Sequence, residues 1–153
     1  MTLTYGFNSI GDVLAKLERE AKALREEEVN GDRFYNFVIT GYSMIDWVRN
    51  DPTVPASAKH AGAVDGLYSD RWLKICGDLA TASKHFNLTR RIPITSTSTT
   101  ESGWGIGRFG KGGYGVGEEN IEVTLNDGTV LNALEIVQGV QATWKAFFHT
   151  HHI

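Results

Sequence analysis

Asp78, Lys84 and His85 fall within fourteen residues, "LKICGDLATASKHF" (73–86), a segment that otherwise reads as one buried helix. Asp78 and His85 are seven apart and share a flank at helical spacing, whereas Lys84 points to the opposite border of the apolar stripe. A carboxylate beside a histidine fixes its tautomer and raises its pKa, which suits acid/base chemistry near neutral pH. The alternative is a satisfied polar edge where this helix meets a neighbour, since structural pairs perturb protonation equally well. Asp46 adds a fourth candidate. It lies on the same side of the preceding helix as Tyr35, Ile39 and Tyr42, where a carboxylate must find a partner or neutralise. It reads either as a general base or metal ligand, or as a buried acceptor served by Arg71, Lys84 or His85.

A second cluster is suited to binding. "GWGIGRFGKGGYGVG" (103–117) holds eight glycines in fifteen residues. Its pattern fails the phosphate-loop test, because no glycine loop ends in Gly-Lys-Ser/Thr. Trp104, Phe109 and Tyr114 stand instead beside Arg108 and Lys111, a composition that stacks bases or grips another protein; a merely tight hairpin is the competing reading. Between Lys84 and Lys111 there are five cations, Arg90 and Arg91 among them, against Glu101 alone. The whole chain carries −3 with a pI near 5.9, which is not the footprint of a dedicated DNA-binding domain. The three histidines of "HTHH", 149, 151 and 152, read as a solvated tail and Cys76 as a buried thiol. No metal site and no cofactor are expected.

These residues need a scaffold. The 153 residues, 41% apolar, fit a single domain with an ordinary core. A first helix starts at Ser9 and Asp12 and repeats Val13, Leu14, Leu17, Ala21 and Leu24. Asp32 is placed to cap a second, central helix running to about Asn50, stopped by Pro52 and Pro55. After a long polar connection with room for a short helical turn, a third begins near Ser69. "RRIPITSTSTTES" (90–102) is too polar to bury much surface. Trp104, Ile106 and Arg108 alternate, as do Tyr114 and Val116, which predicts a hairpin across "GKGG". "IEVTLNDGT" (121–129) predicts a strand with Ile121, Val123 and Leu125 on one side and an Asp127-Gly128 turn. A last helix spans about Asn132 to Phe148. The expected fold is mainly α, a four-helix-bundle-like domain with a Gly-rich β-hairpin or small meander at about 102–130, before the last helix. The N-terminus lacks a secretory signal, one cysteine cannot form an internal disulfide, and no apolar run approaches the roughly 20 residues that span a bilayer. A cytoplasmic protein with no membrane partner is expected.

The order of "FYNFVITGYSMIDWV", "LKICGDLATASKHF", "RFGKGGYGV" and "TLNDGTVLNALEIVQGVQATWKAFF" resembles a group of small, largely uncharacterised bacterial and phage-associated proteins. The bundle is also similar to the HEPN superfamily, many of whose members are dimeric ribonucleases in toxin and antiviral systems. That similarity would imply metal-independent RNA cleavage by Arg followed, after four to six residues, by His, across a dimer. The chain lacks that motif, and only Lys84 and His85 could stand in, their directions differing by about 100°. The leading expectation is therefore a small binding protein, with a protein or RNA partner and a homodimer as an option, in a bacterial or phage conflict setting. The alternative is a divergent HEPN-like ribonuclease.

Overall fold

The computed structural model describes residues 5–85, 92–114 and 117–153. It is mainly helical: α1 (Ile10–Glu26), α2 (Gly31–Asn50), α3 (Ala56–Lys59), α4 (Ala61–Ser69), α5 (Arg71–His85) and α6 (Ala133–His151). A three-stranded antiparallel sheet, β1 (Thr95–Glu101), β2 (Asn120–Leu125) and β3 (Val130–Asn132), lies between α5 and α6 in the chain, in the order β1-β2-β3. No helix among the described residues is long and apolar enough to cross a membrane.

The caps explain where the long helices begin. Ser9 and Asp12 form the reciprocal capping box of α1, and Asn132 and Glu135 form a second one on α6, each satisfying N–H groups that the first helical turn leaves unpaired. Asn30, not Asp32, caps α2, its side chain accepting from the Arg33 N–H at 2.9 Å; Asp32 sits one residue inside the turn. The stretch after Pro55 is more regular than its composition suggested. It forms α3 and α4, and Asp70 both ends α4 and accepts from the N–H groups of Trp72 and Leu73 that open α5.

Four apolar stripes meet at α2, which packs on α1 and α5 and also touches α6. Phe37, Val48, Leu17, Leu24, Ile75, Val140 and Trp144 are wholly buried there. The helices cross closely at Gly41, where a Cβ would lie 3.1 Å from Val140, and where the Trp144 indole N–H donates to the Gly41 carbonyl at 3.0 Å. That bond satisfies a polar atom which burial would otherwise penalise.

The sheet adds Ile121, Val123 and Leu125 of β2 and Leu131 of β3 to the core. The expected register of β2 is therefore correct. The hairpin expected across "GKGG" is not present: that segment is a loop whose described residues share one isolated bridge, Gly113 with Gly117. The strand paired with β2 is instead the Ser/Thr-rich β1, with Ser98 opposite Val123 and Thr100 opposite Ile121. Threonine's branched Cβ suits an extended backbone even where nothing is buried, and periodicity of apolar residues could not show such a strand.

Two glycines separate packing from propensity. A Cβ on Gly139 of α6 would overlap the Trp72 indole, reaching 2.6 Å from Cε3, whereas a Cβ on Gly66 of α4 would meet nothing within 4 Å. Gly139→Ala should lower the melting temperature, because overpacking of about 1–3 kcal/mol outweighs a helix-propensity gain of about 1 kcal/mol. Gly66→Ala should raise it. Thermal melts of both variants check the contrast, and equal shifts in one direction would contradict the packing at Trp72.

Candidate functional site

Residues 102–119 join β1 to β2, and the charged side chains of this connection, Arg108, Lys111, Glu118 and Glu119, are directed to the α1–α2 turn. Glu118 is 2% exposed. Its carboxylate accepts from the Val29 N–H at 2.8 Å, the Arg108 N–H at 2.7 Å and the Arg108 guanidinium at 2.8 and 3.1 Å. The same guanidinium donates to the carbonyls of Leu24 and Arg25, and the Lys111 ammonium donates to that of Glu26. The next residue, Glu119, accepts from the Gly31 N–H that opens α2.

The arrangement follows helix electrostatics. The last carbonyls of α1 have no partners within the helix and carry its negative end, while the first N–H groups of α2 carry a positive one. The loop sets its cations on the former, Glu119 on the latter and Glu118 on the Val29 N–H just before α2. Burial alone would push the Glu118 carboxyl up, but the hydrogen bonds from Arg108 and from the Val29 and Arg108 N–H groups outweigh it and hold the carboxyl below its ordinary value. The Arg108 guanidinium is correspondingly raised, chiefly by its hydrogen bond to Glu118. Close approach also sets two of the glycines. A Cβ at Gly107 would overlap the Glu118 side chain, and one at Gly112 would sit 2.6 Å from the Glu118 nitrogen; both have φ near +80°, at +79° and +82°.

With its polar groups turned inward, the loop turns its aromatics outward. Trp104, Phe109 and Tyr114 are 88%, 106% and 105% exposed. Together with Ile106 they line an open hollow of about 740 Å³ formed by the loop itself. Of the binding residues expected from sequence, the three aromatics thus face solvent, whereas Arg108 and Lys111 are engaged in holding the loop. Arg90 and Arg91 lie outside the described residues.

The four residues considered for catalysis do not converge. Asp46 is exposed rather than set in an apolar environment, and accepts from Asn50 Nδ2 at 3.0 Å. Asp78 is 1% exposed, but its carboxylate serves β1: it accepts from the N–H groups of Ile94 and Thr95 at 2.8 and 3.1 Å and from the Thr95 hydroxyl at 3.1 Å. His85 lies seven residues on, about 10 Å along the axis, and both it and Lys84 are exposed in the last turn of α5. Among the described residues, Asp78 is thus directed to β1 and His85 to solvent. Asp78 fastens the start of the sheet to α5.

The "HTHH" segment is helical through His151 rather than a loose tail; the His151 ring lies 4.5 Å from that of Phe147, and its Nδ1 3.3 Å from the Ser57 hydroxyl. Among the described residues no group of three His, Cys, Asp or Glu side chains is placed to hold a metal ion. Cys76 is buried, and burial pushes its thiol far up, away from nucleophilic reactivity.

Two acids escaped the sequence reading. Asp51 is 5% exposed and accepts from the Ile10 N–H at 2.6 Å and from Thr53 at 2.8 and 2.7 Å; burial would raise its carboxyl, but these bonds keep it low. Its signal was the Asp-Pro-Thr order just after a helix, where an Asp side chain bonds the backbone two residues on. Glu118 had no local signal, because its partners are ten and eighty-nine positions away. No known protein-family model, curated protein or solved structure matches this chain.

Glu118→Gln should cost about 2–3 kcal/mol, the scale for losing charge-assisted bonds to a buried carboxylate. The pH dependence has a defined sign. A folded-state pKa below the ordinary 4.5 gives stability that is complete above that value and lost as pH falls through the folded one. Urea melts should show wild type losing stability on acidification and Glu118→Gln losing less. Parallel acid profiles would contradict the clasp.

Proposed function

We propose that the chain is a binding protein that grips a protein partner through the aromatic crest of its glycine-rich loop. The supporting observation is the near-complete exposure of Trp104, Phe109 and Tyr114 on a loop tied down by a buried carboxylate. Large aromatics are the side chains that dominate interface energetics. Holding their backbone in place before contact reduces the ordering cost that a free glycine-rich segment would meet on binding. A protein partner is favoured over RNA because phosphate neutralisation dominates nucleic-acid affinity, while Arg108 and Lys111 direct their donors to backbone carbonyls and Glu118. Glu101 and Glu119 also border the loop in sequence.

The conflict setting and the HEPN-like character of the bundle rest on the sequence resemblance described above. The ribonuclease alternative has no specific observation in its favour: Lys84 and His85 are exposed, and Asp78 is turned to β1. It stands as the second outcome of the test.

The test compares wild type with Phe109→Ser/Tyr114→Ser, both verified as folded, for retention of proteins from a source lysate and for binding and cleavage of a mixed-sequence RNA pool. Proteins retained by wild type should be lost with the double variant, and RNA should be neither cleaved nor bound differently by the two. Retention of the same proteins by both would overturn the loop reading. Cleavage of the RNA pool that disappears in His85→Ala would replace it with the nuclease one.

A further inference from the structure

Among the described residues the sheet ends on an edge whose one protective irregularity is a register shift at its start. Among the described residues β1 pairs with β2 on one side and with no strand on the other. Exposed edges are normally blunted by lysine, proline or inward charges, and β1, "TSTSTTE", has none of these between Thr95 and Thr100. Its one irregularity, a register shift between Thr95 and Thr97, leaves the run from Thr97 to Glu101 regular. The strand also overhangs the core. Ser98 and Thr100 share a face with Val123 and Ile121, since directly opposed residues of an antiparallel pair point the same way; yet the β2 residues are buried and the β1 residues exposed. Among the described residues, both faces and one edge of β1 are therefore open.

We infer that β1 is a pairing edge for β1 of a second copy, joined antiparallel about its middle to make a continuous six-stranded sheet with two-fold symmetry. Three observations favour this occupant. The charge pattern suits self-pairing in one direction: antiparallel pairing sets Glu101 of each copy against the uncharged Thr95–Thr97 end of the other, whereas parallel pairing would stack the two Glu101 side chains. Apolar groups flank the strand at both ends. Ile92 is 96% exposed before it and Trp104 88% exposed after it, so the two-fold carries Ile92 of one copy to the Trp104 end of the other, twice. Finally, threonines at the centre suit cross-strand contact, their branched side chains packing and bonding across the pair. Main-chain hydrogen bonds alone bury little area, and the Ile92 and Trp104 contacts supply apolar surface where it is needed. In the dimer Trp104 belongs to the two-fold contact and Phe109 and Tyr114 remain open to another protein; the inference does not rest on the loop reading, whose test uses those two.

Sedimentation equilibrium of the full chain tests this, with Thr99→Lys and single-site cysteine variants. Wild type should show a monomer–dimer equilibrium. Thr99→Lys places like charges near the axis and should weaken dimerisation by about tenfold or more, with an unchanged far-ultraviolet spectrum because the site is exposed. Should that variant fail to fold, Thr99→Cys still decides the matter: under mild oxidation it should give a covalent dimer faster than Thr150→Cys, with buried Cys76 a silent background in both. A wild type that stays monomeric, a dimer indifferent to Thr99→Lys, or equal cross-linking of the two cysteine variants would each overturn it. So would a monomer whose edge takes up an extended peptide of another sequence in place of its own copy.

Discussion

Glu118 meets Arg108 at a point where three parts of the chain have unpaired backbone groups. The Leu24 and Arg25 carbonyls at the end of α1 accept from Arg108, and the Val29 N–H before α2 and the Arg108 N–H of the loop donate to Glu118. An ion pair of which one member is 2% exposed and the other 37% exposed is worth little as a bare charge contact, because desolvation offsets much of the attraction. Its importance lies in closing hydrogen bonds. The carboxylate accepts from two backbone N–H groups and the guanidinium donates to two carbonyls, so a loop made largely of glycine acquires one backbone path. Everything exposed on that loop, the aromatic crest above all, is oriented by one buried carboxylate and the half-buried guanidinium paired with it.

The sheet depends on a comparable device at its other end. Asp78 reaches from α5 to the start of β1, and Asn126 binds the Ile94 and Pro93 carbonyls from the β2–β3 turn. Thus β1, which buries almost nothing, is fixed at its beginning by the Asp78 and Asn126 side chains and the Asn126 N–H, and along its length by β2. A strand held this way is positioned by hydrogen bonds instead of by packing, which keeps its free edge and both faces open. The loop and the edge are consecutive in the chain, and Trp104 stands where one becomes the other.

The helices were legible because their signals are local. The Ser9–Asp12 box, the prolines after Asn50 and the apolar repeats of α1, α2, α5 and α6 each lie within a few residues of what they determine. The direction of β2 was legible for the same reason, with apolar residues at alternate positions. The misreadings share an opposite cause. Asp78 and His85 do share a flank, but helical spacing could not show that Ile94 and Thr95 would occupy the carboxylate. Arg108 and Lys111 read as binding cations because the carbonyls they satisfy are more than eighty positions away. Asp46 was placed on an apolar side by its neighbours in sequence, while the packing of α2 leaves it in solvent. The three aromatics were found by composition alone; their exposure is a consequence of the clasp.

Amide hydrogen exchange at Arg108 and Val29 tests that dependence most directly. Both N–H groups donate to Glu118, so both should exchange far more slowly than an open glycine-rich loop and lose protection together when Glu118 is replaced by alanine, which offers neither an acceptor. Exchange at Arg108 as fast as in an unstructured peptide, with Val29 protected independently of Glu118, would contradict the account: the loop would then not be held by the clasp, and the outward set of its aromatics would have no structural basis.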